Sequence, residues 1–187
     1  MLALVKRSDR EHWDQRYREL GVAPVTPPGM PPPEFAHLDD MFPASGHAME
    51  LACGRGRSAV WLGGRGLSYW GVDVSPVAIG LARQLISEYD FADRCRFDVA
   101  DLDDGLPEGP AADVILCYWF HDPRLDDQIL ERLAPGGLLA ITVQSEVGVG
   151  PGEFRAPPGE LREAFGQLEL IDEGEGEGTA WLLGRRS

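Results

Sequence analysis

The chain has 187 residues, 43% of them hydrophobic and 9% aromatic, which suits one globular domain and is too short for two well-cored ones. The charge is −14, with 17 Lys and Arg against 31 Asp and Glu, so nucleic acids and anionic membranes are disfavoured as partners. Three cysteines without a C-x-x-C pair indicate neither a disulfide framework nor a zinc site.

The N-terminal quarter is predicted to be a helix followed by a proline-rich cover. A helix from Ser8 or Asp9 to about Leu20 would place Trp13, Tyr17 and Leu20 on one side, and Gly21 would end it. Residues 24–33 can be neither helix nor central strand, so they predict a polyproline-like linker that could also rim a site. A ligand for an aromatic groove is the weaker alternative. A short helix is predicted from Glu34 to Met41.

The organising motif is a strand, a tight turn and a helix. Residues 46–51 form an apolar strand, Gly54-Arg55-Gly56 forms the turn, and a helix begins near Ser58. Glu50 stands four residues before Gly54, and Asp73 ends the next apolar run. The spacing to Asp73 is typical of a carboxylate that binds ribose hydroxyls in a nucleotide-binding βαβ unit.

Two nucleotides fit this spacing. Ala59 completes the Gly-x-Gly-x-x-Gly/Ala pattern of dinucleotide sites, so the glycines alone leave NAD open. An anionic Glu50 would repel a pyrophosphate but would suit a ligand with an ammonium or sulfonium group, such as S-adenosylmethionine. A turn without any ligand is the remaining alternative.

The rest of the chain alternates strands and helices. Ser75-Pro76 is a strong helix start, and the fourth strand leads into Tyr118-Trp119-Phe120-His121, an unusual aromatic exit. Gln144–Pro158 is predicted to be a loop over the site, and Glu173–Gly178 a flexible acidic hairpin loop. The remaining elements are helices from residue 75 to about 89, 126–133 and 159–165, and strands at 69–73, 95–101, 113–117, 134–143, 168–171 and 179–183.

This alternation predicts an α/β fold with a doubly wound, mostly parallel seven-stranded sheet, helices on both faces and a C-terminal antiparallel hairpin. We expect a single domain over residues 1–187, with 1–45 as N-terminal helix and cover and 46–187 as a Rossmann-like core. The run Met1–Arg7 is unlike a secretory signal, and no run approaches a membrane span, so a cytoplasmic protein is expected.

Four stretches resemble elements of the class I (Rossmann-like) S-adenosylmethionine-dependent methyltransferases. Glu50–Gly56 resembles motif I and Val72–Pro76 resembles motif II. Trp13–Tyr17 resembles the N-terminal Trp-Asp-x-Arg-Tyr element, and Leu133–Gly137 the Leu-x-Pro-Gly-Gly before the fifth strand. Within that family the chain looks closest to compact, tellurite-resistance-like small-molecule enzymes, over about residues 12–186.

The resemblance implies S-adenosylmethionine as cofactor and S-adenosylhomocysteine as product. It places the methionine end at motif I, the ribose at Asp73, the adenine amino group at Asp101 and the N-terminal helix over the cofactor. The implied cofactor-binding residues are Trp13, Arg16, Tyr17, Glu50, Ala52, Cys53, Gly54, Gly56, Asp73, Val74, Asp101, Leu102 and Cys117.

The acceptor is less constrained. The Asn/Asp-Pro-Pro-Tyr element of amino-methylating DNA and protein enzymes is absent, and Cys117–Phe120 stands in its place. His121 is the candidate general base because its reference pKa lies near neutral pH, and a packed histidine is the alternative. We expect a small-molecule acceptor, no metal, no nucleic acid or membrane partner, and a monomer or homodimer. A cofactor-binding module without turnover and an NAD-dependent oxidoreductase stay as alternative functions.

Overall fold

Short apolar runs form the strands of one mixed sheet, in the order β3-β2-β1-β4-β5-β8-β7, with the two-residue β6 beside β5. The computed structural model describes residues 2–22, 29–152 and 154–187, with side chains from residue 9 onward. Neighbours among β1 to β6 pair in parallel, whereas β8 runs antiparallel to both β5 and β7. The strands are β1 His47–Leu51, β2 Ser68–Asp73, β3 Cys95–Val99, β4 Ala112–Tyr118, β5 Leu133–Ser145, β6 Arg155–Ala156, β7 Glu169–Gly176 and β8 Thr179–Arg185.

Helices cover both faces of this sheet. On the first face, α2 and α3 pack on a core that includes Ala48, Leu116 and Ala140, and on the second face α4 and α5 pack on Ile115 and Ile141. No helix in the described ranges is long and apolar enough to cross a membrane. The helices are α1 Leu2–Leu20, α2 Arg57–Arg65, α3 Pro76–Ile86, α4 Asp126–Arg132 and α5 Glu160–Phe165.

The predicted doubly wound sheet with its antiparallel hairpin is confirmed, and β6 adds a strand that the sequence did not indicate. The hairpin loop is wrong in extent, because β7 continues through Gly176 and the turn is formed by Glu177 and Gly178. Gly174 allows this, since a Cβ there would lie 2.1 Å from the ring of Trp181 on β8. Glu175 accepts hydrogen bonds from the Ser145 hydroxyl and from a backbone N–H, so this acid has partners within the fold.

The segment ahead of β1 is attached to the first face. It forms a 3-10 helix, Pro33–Met41, and Phe35 inserts into the core with no exposed surface. Asp39 receives the indole N–H of Trp61 at 2.9 Å and pairs with Arg65 at 2.8 Å, both on α2. We call residues 29–42 the cover segment; residues 23–28 of the predicted proline-rich stretch lie outside the described residues.

The strand register determines which residues lie side by side at the carboxyl ends of the central strands. Leu51 pairs with Cys117, and Tyr118 pairs with Thr142 on β5, which in turn pairs with Trp181. Because side chains alternate along strands, Tyr118, Thr142 and Trp181 form one row on the first face at the carboxyl ends of β4 and β5. That edge is where open α/β sheets bind ligands.

Truncation of Phe35 tests whether the cover segment belongs to the same cooperative unit as the sheet, as the single-domain prediction requires. Phe35→Ala is expected to lower the free energy of unfolding by about 3–5 kcal/mol, because the ring is fully buried and its removal leaves a cavity. The measurement is urea unfolding, with Met41→Ala, which is 39% exposed on the same 3-10 helix, as matched control. A loss no larger than that of the control would show that the segment unfolds separately.

Candidate cofactor site

Three residues of the turn after β1 have a left-handed backbone conformation. Ala52, Gly54 and Gly56 have φ values of 51°, 52° and 74°. A Cβ at Gly56 would lie 2.8 Å from the Cβ of Ala82, so glycine also lets α2 and α3 approach each other. The sequence did not indicate the strain at Ala52, where a non-glycine residue occupies a conformation that costs about 1–3 kcal/mol. Strained backbone of this kind clusters at ligand sites.

Asp73 holds this turn to the exit of β2. One carboxylate oxygen accepts the Gly54 N–H at 2.9 Å, and the other accepts the Ser75 N–H at 2.9 Å. The side chain is 4% exposed, and burial raises the pKa of Asp73 while the two N–H groups act against that rise. A carboxylate has about four acceptor positions, so two remain for ligand hydroxyls.

Glu50 lies beneath the turn on the first face. Its two oxygens accept hydrogen bonds from Ser58, at 2.9 Å, and from the hydroxyl of Tyr69. Burial raises the pKa of Glu50 to about 7, although both hydrogen bonds act to lower it. The sequence motif indicates Glu50 but not these partners. The face alternation along β2 supplies the signal for Tyr69, since it lies two residues before Gly71, the register partner of Glu50.

Helix α1 lies across the two strand exits. Asp14 accepts hydrogen bonds from the Ser75 hydroxyl and, at 3.4 Å, from the Val77 N–H at the start of α3. Arg55, in the turn, donates to the carbonyl of Gly21 at 2.9 Å, beyond the end of α1. The hydroxyl of Tyr17 lies over Gly54, where it would be 3.0 Å from an added Cβ. The helix is therefore attached to both halves of the candidate site.

The other predicted residues of α1 lie further out. Trp13 is 38% exposed and stacks on Tyr17 with ring centroids 5.8 Å apart, and the Arg16 guanidinium lies 5.8 Å from the Trp13 ring centroid. Leu20, expected on the packed side, is 48% exposed. Asp14, which the sequence analysis did not assign, makes the polar contacts of this helix with α3. Its place within the Trp-Asp-x-Arg-Tyr element was the available signal.

The remaining predicted cofactor residues lie along the same edge. Ala100 donates to the carbonyl of Asp73 at 3.0 Å, which brings the following Asp101 and Leu102 beside β2. Asp101 caps its own turn by accepting the Asp103 N–H at 3.1 Å. The other three members of the set lie at or just beyond the strand ends: Cys53 and Cys117 are buried, and Val74 is half-buried. Burial raises the pKa of both thiols above the ordinary value, so they are neutral groups here.

His121 lies apart from these residues, on the second face. Its ring is 6% exposed, with Nε2 2.9 Å from Oδ1 of Asp126 on α4 and Nδ1 3.9 Å from Oε2 of Glu160 on α5. Its ring centroid lies 6.0 Å from that of Phe165. These contacts connect the exit of β4 to two helices, and the role of His121 as a base stays a prediction.

Glu50 makes stability depend on pH in a defined direction. Its pKa is raised from 4.5 to about 7. Its contribution to the free energy of unfolding is therefore fully present below pH 4.5 and is lost as the pH rises through 7. Wild type should therefore lose about 3 kcal/mol relative to Glu50→Gln over this window. Urea unfolding at a series of pH values measures the difference, with exposed Glu88→Gln as control. A difference that does not change with pH would contradict a buried, raised Glu50.

Comparisons with known proteins agree with this geometry. Residues 48–137 match the family model described as "Methyltransferase domain". A 2-heptyl-1-hydroxyquinolin-4(1H)-one methyltransferase from Mycobacteroides abscessus is 26% identical over 165 residues, covering 83% of this chain and 72% of that protein.

Solved structures share the fold. A TehB-like SAM-dependent methyltransferase from Corynebacterium glutamicum has a TM-score of 0.67 and 20% identity, over 97% of this chain and all of that one. TehB from Haemophilus influenzae has a TM-score of 0.65 and 17% identity over 75% of this chain, which spans only 57% of the TehB chain. The family match over residues 48–137 and the shared fold support the predicted class I, S-adenosylmethionine-dependent methyltransferase.

Proposed function

We propose that this protein transfers a methyl group from S-adenosylmethionine to a small-molecule acceptor. The observation that carries the proposal is the hydrogen bond from the Gly54 N–H to Asp73, which holds the turn against β2. Glu50 lies beneath this turn and α1 lies above it. The proposed residue roles are those that the family resemblance implies. Asp73 binds the ribose, Asp101 lies toward the adenine, and Glu50 takes the ammonium or sulfonium end, whose positive charge would favour the ionised form of this buried acid.

The cofactor supplies an activated methyl group on a sulfonium with a neutral thioether as leaving group. The chain therefore contributes mainly position, which can supply about 7–11 kcal/mol of the barrier. Helix α1 places the Tyr17 hydroxyl above Gly54, and Asp73 fixes the turn against β2. For an acceptor that keeps its proton at neutral pH, His121 stays the predicted base, and it would act from the second face, apart from Glu50 and Asp73.

The small-molecule acceptor rests on two observations. The M. abscessus relative carries the name of a methyltransferase for a substituted hydroxyquinolone, which is a small aromatic compound. The net charge of −14 opposes binding of polyanionic macromolecules. We also propose a monomer or homodimer in the cytoplasm, where the free Cys53, Cys95 and Cys117 would stay reduced.

Calorimetry tests the cofactor assignment. S-adenosylmethionine and S-adenosylhomocysteine are expected to bind in the micromolar range, whereas NAD is not. Asp73→Ala should weaken binding at least tenfold, because charge-assisted hydrogen bonds to the ribose are lost. It should also lower the melting temperature, since two backbone N–H groups lose their acceptor.

The control for Asp73 is Asp113→Ala. Asp113 also accepts a backbone N–H, from His47 at 2.7 Å, but lies at the opposite edge of the sheet. It should lower stability and leave cofactor affinity unchanged. Tight NAD binding without S-adenosylhomocysteine binding would overturn the function, and equal losses in both variants would remove Asp73 from the ribose site.

The attachment of α1 gives a second test. Asp14→Ala removes the acceptor for Ser75 and Val77, so α1 should dissociate more often from the turn. We expect faster amide hydrogen exchange at residues 54–56 and cofactor binding weakened about fivefold or more. Exposed Glu11→Ala, on the same helix, is the matched control. If Asp14→Ala behaves like the control, α1 packs on the domain without closing the site.

A further inference from the structure

Five buried side-chain polar atoms in the described part of the chain have no hydrogen-bond partner. Thr142 Oγ1, Glu34 Oε2 and Trp181 Nε1 are among those on the first face, and Trp181 is the register partner of Thr142. Thr142 is fully buried in the middle of a sheet whose other first-face side chains are largely apolar. An unpaired buried polar atom is destabilising, so natural proteins retain it mainly where it has a function.

Thr142 lies close to the candidate methyl-donor site. Thr142 is the register partner of Tyr118, which directly follows the Leu51–Cys117 pair and so comes level with Ala52 at the start of the turn. Glu34 is on the cover segment above the same face, and its charge helps burial to raise the pKa of Tyr118. Tyr118 and Thr142 are therefore neighbours at the ends of β4 and β5, and the charge of Glu34 acts on Tyr118 from the cover segment.

We propose that Glu34, Tyr118 and Thr142 form the acceptor-binding subsite, which binds the polar group of a flat, hydroxylated aromatic compound. The inference rests on the proposed methyl transfer and adds the acceptor class. It assigns Glu34 as the hydrogen-bond acceptor for the ligand hydroxyl, and Thr142 and Tyr118 as groups that can both donate and accept.

An exposed aromatic ring beside these groups supports the aromatic class. Trp119 is 47% exposed and has a φ of 63°, a strained conformation for a bulky residue. The backbone N–H of Trp119 donates to the backbone carbonyl of Thr142 at 2.8 Å, and the Trp119 ring centroid lies 5.3 Å from that of Tyr118. The left-handed backbone at Trp119 thus keeps the indole at the surface, next to Tyr118 and Thr142. A flat ligand ring can stack on the indole there.

Charge supplies the specificity. The carboxylate of Glu34 should favour a ligand hydroxyl and repel a ligand carboxylate at the same position. Replacement of Glu34 by glutamine keeps the size of the side chain and removes its charge. It should therefore weaken binding of the hydroxyl ligand and strengthen binding of the carboxylate ligand. This reversal would not follow from a purely structural role of Glu34.

The experiment uses calorimetry on protein saturated with S-adenosylhomocysteine, with 1-naphthol and 1-naphthoate as probes. The variants are Glu34→Gln and Thr142→Val, and the control is the exposed Glu88→Gln. Saturation with S-adenosylhomocysteine is measured first, so a failure of the proposed function would be seen there, before any acceptor probe is added.

We expect 1-naphthol to bind wild type more tightly than 1-naphthoate, and Glu34→Gln to weaken 1-naphthol about tenfold while improving 1-naphthoate. Thr142→Val should weaken 1-naphthol and raise the melting temperature by about 2–4 °C, because it removes an unpaired buried hydroxyl. Loss of melting temperature in Thr142→Val, or equal 1-naphthol affinity in wild type and Glu34→Gln, would overturn the subsite. No binding of 1-naphthol to the saturated protein would overturn the acceptor class.

Discussion

The Asp73 carboxylate is the interaction on which the rest of the site depends. It joins the exits of two neighbouring parallel strands by accepting one N–H from each, Gly54 and Ser75. Those amides would otherwise be unpaired near the buried end of the sheet, and the carboxylate would otherwise be buried without a donor. Each group therefore compensates the desolvation of the other. The oxygens keep further acceptor positions, so the same residue can stabilise the turn and bind a ligand.

Much of this arrangement could be predicted from sequence because it depends on local rules. Gly-x-Gly between an apolar strand and a helix, and an acid ending the next strand, predicted where the turn and Asp73 would lie. The left-handed Ala52 and the length of β7 could not be predicted in this way. They depend on contacts across the sheet, such as Gly174 against Trp181, which no local pattern records.

The aromatic exit of β4 shows the same limit for function. Tyr118 and His121 lie three residues apart in the sequence, within the same aromatic exit of β4. Strand alternation directs Tyr118 to the first face, where it packs beside the core that α2 and α3 cover. The left-handed backbone at Trp119 then turns the chain, and His121 packs among α4 and α5 on the second face. Proximity in sequence was therefore a poor guide to proximity in the site.

The distribution of strain indicates which edge of the sheet has been selected for binding. In the described part of the chain, the four non-glycine residues with left-handed φ are Ala52, Trp119, Phe154 and Glu177. Ala52 and Trp119 follow β1 and β4 at their carboxyl ends, and Phe154 precedes β6, which begins beside Gln144 of β5. Glu177 forms the β7–β8 hairpin turn with Gly178, and its left-handed conformation belongs to that turn. The buried Glu50, Asp73 and Thr142 lie at or next to the same end. Local rules are broken repeatedly at one edge while the sheet below keeps an apolar core, which is the pattern expected when stability has been given up for a binding site.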